Sequence, residues 1–294
     1  MKQKINARGA LTALVSWVFS LLLVLLVLLG VLVCTVNNPS FLKSQILESG
    51  YHRDVWDQLD QNYKSYGNAG GIPENVMGSI ITEDQVQRDL FSEVDRFYSG
   101  ERTFQQRPEV SGAALAAIEE NLAQRGIEMN EEIRAGIQDL ANGCQVDYEN
   151  YVRIPMAGML APYLHKLRAV SWAGMAVLGF LALAALWVLL ALQRSGPARL
   201  RWTIYSFSAA ALFSFAAPAA ARLSLEVERL NLEPQILRHM LAVYVDGVFF
   251  SFVYFGLLCA VVAAVLLYAW LRGRKRYRAG LRRQAYRMEE NDEV

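Results

Sequence analysis

The sequence predicts an all-α protein of four transmembrane helices, with a helical extracytoplasmic domain inserted between helices 1 and 2. Three observations predict it. Four runs of 20 or more residues carry no charged side chain, Lys and Arg gather on alternate connections, and the longest connection repeats apolar residues at helical spacing. Bulk composition hides this pattern: 54% of the 294 residues are hydrophobic, and 29 Lys+Arg against 28 Asp+Glu leave a net charge of +1. Those totals exclude a disordered polar chain and a globally basic nucleic-acid binder. Three cysteines exclude a disulfide-stapled scaffold.

The first run occupies residues 10–36, after a short N-terminus at 1–9, and reaches ~40 Å as a helix against a hydrocarbon core of ~30 Å. No small-x-small site follows it, so it reads as a signal anchor and not a cleaved leader. Val33 stands where a lipoprotein site at Cys34 needs a small residue. The second run covers 169–193, the third 202–221 and the fourth 247–271. The third is Ala-rich and holds Pro218, which removes a backbone donor near its outer end. Small residues recur every four positions in the last two runs: Ser206, Ala210 and Ser214, then Gly256, Ala260 and Ala264. Such faces let helix backbones approach closely in lipid, so these six are the expected helix-packing residues. The same faces serve packing within one chain and packing between copies of a homo-oligomer.

Orientation follows from the short flanks. Lys2, Lys4 and Arg8, the loop 194–201 with Arg194, Arg199 and Arg201, and the tail 272–294 share one side if the spans alternate, and that side is the cytoplasm. Residues 37–168 and 222–246 then lie outside a plasma membrane crossed four times, with both termini cytoplasmic. The inner segments hold 14 basic and 4 acidic residues and the outer ones 15 basic and 24 acidic, so the near-neutral total is two opposed fields. In the tail, Arg272, Arg274, Lys275, Arg276, Arg278, Arg282 and Arg283 are the expected contacts for anionic lipid headgroups, at ~1 kcal/mol per basic residue.

The outer segment 37–168 is long enough for one domain and reads as a bundle of about five short helices. Thr82 and Gln85 match a capping box, and Val86, Leu90, Phe91, Val94, Phe97 and Tyr98 keep one apolar face until Gly100. Val55, Leu59, Tyr63 and Tyr66 do the same before Gly67; Leu115, Ile118 and Leu122 before Gly126; Ile133, Ile137 and Leu140 before Gly143. Each glycine is expected to stop its helix. Residues 147–167, with Pro155 and Pro162, predict a bent helix feeding the second span. In the smaller outer loop, Leu223, Val227 and Leu230 predict a helix that stops near Asn231, and Pro234 opens another.

Chemical motifs are sparse. His52, His165 and His239 have no partner at a metal-ligand spacing, and no GxSxG, Walker loop or HExxH occurs, so no metal, cofactor or catalytic residue is expected. Cys144 reads as an inert thiol. Asp54, Asp57 and Asp60, and Glu119 with Glu120, fall on polar helix faces and read as solvated surface, although residue types alone leave paired-acid chemistry on lipid or cell wall open. Asp246 is the sole acid near a span and reads as an interface residue.

The layout of one span, a large outer domain and three further spans resembles permease subunits of the FtsX and MacB type of ABC system. That resemblance covers layout only, and it implies a separate cytosolic ATPase. The motifs NNPSFL after the first span, SGY at Ser49–Tyr51, GIPENV at Gly71–Val76, ITEDQV at Ile81–Val86 and YSGE at Tyr98–Glu101 are similar to those of uncharacterised four-span membrane proteins of Gram-positive bacteria. They imply no activity. The expected function is a non-enzymatic envelope protein whose outer domain binds a protein partner or ligand. An export-system subunit is the alternative, and an outer-face enzyme a third.

Overall fold

All ten regular elements among the described residues are α-helices. The structure, a computed structural model, describes residues 7–101, 103–154, 157–192, 196–224 and 235–292, excepting the side chains of 7–8, 196–199, 224, 235 and 274–292. The helices are α1 (Ala7–Cys34), α2 (Pro39–Glu48), α3 (Tyr51–Ala69), α4 (Glu74–Met77), α5 (Glu83–Ser99), α6 (Pro108–Gln124), α7 (Glu131–Val152), α8 (Ala157–Leu192), α9 (Gly196–Ser224) and α10 (Gln235–Asp292). Four of them, α1, α8, α9 and α10, are long and apolar enough to cross a membrane, α9 being the least apolar. The chain divides into two compact units. One comprises Met1–Thr35, Val170–Glu226 and Gly247–Val294; the other comprises Val36–Ala169 and Val227–Asp246.

In the first unit α1 packs along α9 through small and hydroxyl residues. Ser16 Oγ lies 3.1 Å from Ser206 Oγ, Ser206 also donates to the Ser16 carbonyl at 3.0 Å, and Phe19 meets Phe207 edge-on. Two glycines stand where side chains meet between α10 and its neighbours. A Cβ on Gly30 would come 3.0 Å from the Phe255 ring, and one on Gly256 would come 3.0 Å from Ser214 Cβ. Ala182 and Leu189 of α8 bury against Phe19. Outward-facing Trp17, Phe180 and Trp187 are mostly exposed, as apolar side chains in contact with acyl chains would be.

The second unit is a bundle of α2 to α7 around one apolar core that includes Leu59, Tyr63, Met77, Ile118 and Tyr148. Local sequence explains most boundaries. Asn38 caps α2 by accepting from Ser40 N, Thr82 caps α5 by accepting from Gln85 N, and Asn130 caps α7 by accepting from Ile133 N. Gly100 and Gly126 take positive φ after α5 and α6, as expected of them.

Two expected stops are corrected. Gly67 lies inside α3, which runs on to Ala69 and is capped at Gly70. Its lack of a side chain serves packing, because a Cβ there would collide with the buried Met77 side chain. Gly143 likewise lies inside α7, because Ile137, Ala141, Cys144, Tyr148 and Val152 carry one buried face past it. In the segment expected to bend, 147–167, the backbone is extended at Arg153 after α7, and Pro162 sits within α8. Pro155, and the helix and stop expected over Val227 to Pro234, lie outside the described residues.

Candidate functional site

Helix α5 lays out the charged part of the site. Asp89, Glu93, Arg96 and Phe97 follow one another at intervals of one turn or less, beside the apolar stripe of Val86, Leu90 and Val94. Glu93 is thereby drawn into the core edge, only 6% exposed. After Gly100, which takes positive φ, Glu101, Thr103 and Gln105 gather on Arg96 of α5. Arg96 donates to the Thr103 carbonyl at 2.9 Å and to Gln105 Oε1 at 3.0 Å, and pairs with Glu101 at 2.8 Å.

Arg107 ends that loop, immediately before Pro108 opens α6. Its guanidinium pairs with Asp89 at 3.0 Å and lies 3.5 Å from Glu93, and its backbone N–H donates to Glu149 at 3.0 Å. From α7, the Tyr148 hydroxyl donates to Asp89 at 2.6 Å. Burial raises the Glu93 carboxyl above the usual range, the neighbouring Arg96 and Arg107 opposing the shift without cancelling it. Its Oε1 is buried and receives no hydrogen bond.

Beside this network is a cavity of about 300 Å³. Its walls include Glu93, Arg96, Phe97, Phe104, Arg153 and Met159. Arg153 follows the last turn of α7 in an extended conformation, and its guanidinium lies 4.9 Å from the centre of the Phe104 ring. Glu93 thus stands in the cavity wall with its Oε1 buried between Arg96 and Arg107, while the exposed Arg153 lies over an aromatic ring.

None of these residues was singled out on sequence for a role. For Glu93 a signal existed: Val86, Leu90, Glu93 and Phe97 follow core spacing, so a carboxylate occupies a position where an apolar residue is expected. For Arg153 no signal existed, since its place beside Phe104 is purely tertiary. Of the acids read as solvated surface, Asp57, Glu119 and Glu120 are exposed, whereas Asp60 is half-buried against Lys64 at 2.5 Å. Cys144 is fully buried and its thiol is pushed up to about 12 by burial, which leaves it protonated at neutral pH. Among the described residues no group of three or more His, Cys, Asp or Glu side chains is placed to hold a metal ion.

The expected packing residues fall in the first unit. Ser206, Ala210 and Ser214 are buried, with Ser214 bonding the Ala210 carbonyl, and Gly256 abuts Ser214. Ala260 is half-buried and Ala264 is exposed. The buried stripe of α10 runs Gly256, Cys259, Ala263, because steps of three and four follow the helix face while repeated steps of four drift off it. In the tail, Arg272 stacks on Tyr268 at 4.9 Å. The side chains of Arg274, Lys275, Arg276, Arg278, Arg282 and Arg283 lie outside the described residues.

The chain matches no family model, no curated protein and no solved structure. Its chemistry is therefore read from its own residues.

Proposed function

We propose that the protein is a non-enzymatic, multi-pass protein of the plasma membrane whose helical outer domain binds a partner or ligand. The observation that carries this reading is the cavity lined by α5, Phe104, Arg153 and the first turn of α8. It sets a buried, arginine-paired carboxylate, Glu93, beside an exposed arginine on an aromatic ring, Arg153. The four apolar helices support membrane insertion, and the excess of Lys and Arg on the termini and the 194–201 loop supports placing Val36–Ala169 outside. The basic tail then faces anionic headgroups on the inner side, and the four spans act as an anchor.

Photo-crosslinking side chains at Phe104, Met159 and Tyr163 test the reading in living cells. A discrete adduct, of protein or of small molecule, is the expected result. Capture of bulk lipid and solvent alone from every position removes the support for a binding domain.

A further inference from the structure

Within the second unit, the first turns of α8 have two unlike sides. One side docks on the bundle: Ala161 is fully buried, Leu164 packs on the core, and a Cβ on Gly100 would come 3.3 Å from that of His165. On the opposite side Met159 and Tyr163 are 71% and 72% exposed, and Leu160 and Leu167 continue the face. An apolar face of this kind on the outside of a bundle marks an interaction surface.

Position, charge and shape say what covers it. Helix α8 runs on without a break into the apolar run 169–193. Counted at ~1.5 Å per residue, a hydrocarbon core of ~30 Å centred on that run ends close to Ser171, and Lys166 then stands ~7 Å beyond it, at the depth of the phosphate groups. The exposed Trp172 marks the same boundary. No acid occurs from Asn150 to Arg168, where Arg153, Lys166 and Arg168 are basic, although the outer segments together hold 15 basic and 24 acidic residues. Gly158, Met159, Pro162, Tyr163 and Lys166 line a second hollow of about 310 Å³. Pro162 has no N–H to give the Gly158 carbonyl, its partner one turn back in a regular helix, so the hollow offers an acceptor as well as the lysine.

We propose that this hollow holds the headgroup of an anionic phospholipid of the outer leaflet, with its phosphate at Lys166 and its acyl chains running along Leu167 into the bilayer. Phosphatidylglycerol has the required chemistry. Its phosphate meets the ammonium group, its headgroup hydroxyls meet the Gly158 carbonyl, and its chains cover an apolar face that water would otherwise contact. The proposal rests on the reading above that α8 crosses the membrane, and makes no use of the cavity beside Glu93.

The full-length chain, carrying a photo-crosslinking side chain at Met159, tests this in liposomes of equal parts phosphatidylglycerol and phosphatidylcholine. Lipid adducts at Met159 should be enriched in phosphatidylglycerol about fivefold over the bilayer, whereas adducts from the same side chain at Phe180, exposed within the span, should follow the bilayer composition. Lys166→Gln should abolish the enrichment and Lys166→Arg should keep it. Gly158→Leu fills the hollow and should abolish it too. Arg168→Gln removes a like charge two residues on, from the side of α8 whose charge acts on Tyr98, and should leave the enrichment in place. Lys166 and Arg168 are both exposed, so their variants keep the fold.

Equal capture of the two lipids at Met159, enrichment that persists in Lys166→Gln, an equal loss in Arg168→Gln, or capture of a protein in place of lipid overturns the proposal. If the chain does not float with the liposomes, the membrane reading falls and the lipid site with it. If it floats, and Met159 shows no preference while Phe104 still captures a discrete partner, the lipid site alone falls.

Discussion

The two units bury polar groups by opposite means. In the first, Ser16, Ser206 and Ser214 are buried and bond backbone carbonyls or each other, and glycines bring the helices together. In the second, guanidinium and carboxylate groups meet among α5, α6 and α7. The difference teaches what each set of helices packs against. Where the alternative to a neighbouring helix is an acyl chain, small residues and neutral hydroxyls supply the preference. Where the alternative is water, the core comes from apolar burial, and charges enter only with partners.

Removing a charge should therefore cost far more than removing a hydroxyl. Arg107→Ala leaves Asp89 and Glu93 without their shared cation at the edge of the core, and should destabilise the second unit by about 3 kcal/mol. The unfolding midpoint of the full chain in detergent, followed by thiol labelling of buried Cys144, reads this directly. A change below about 1 kcal/mol would mean that water already serves these carboxylates, and would erase the contrast.

Packing by glycine should come next. Gly256→Leu sets a side chain against Ser214 and Phe215, and overpacking of this kind costs about 1–3 kcal/mol. Ser206→Ala removes the contacts to Ser16 and should cost only about 0.6 kcal/mol, the scale of hydrogen bonds between helices in membranes. Unfolding of each variant in detergent, monitored by helix content, ranks the two. If Ser206→Ala proves the more damaging, hydroxyl pairing of α1 with α9 outweighs the close contact of α10 with α9.

What was legible in the sequence follows the same division. The apolar runs declare themselves, because a span needs length and absence of charge, and both are local. Helix α5 is legible for a similar reason: Thr82, the Val86 and Leu90 stripe and Gly100 mark its start, face and end. Helix α7 is not, because Gly143 looks like a stop and only the buried Cys144 and Tyr148 show the face continuing. A glycine inside a helix costs ~1 kcal/mol, which tertiary burial outweighs. The candidate site was half-legible. Glu93 breaks an apolar pattern that can be counted, whereas the meeting of Phe104 with Arg153 at the end of α7 is purely tertiary.

The smallest effect is the one that most sharpens the comparison, because the first unit has no counterpart to it. Glu93 takes up a proton at higher pH in the fold than in the unfolded chain, where a glutamate titrates near 4.5, because burial outweighs the pull of Arg96 and Arg107. A raised carboxyl contributes stability that is complete below the unfolded value and is lost as pH rises through the folded one. In Glu93→Gln this dependence disappears. The stability of Glu93→Gln relative to the parent should therefore increase as pH rises above the unfolded glutamate value, measured without ligand as a difference in unfolding midpoints. A difference that stays flat or declines would mean that the two arginines hold Glu93 ionised throughout. The carboxylate would then act wholly as the shared partner of Arg96 and Arg107.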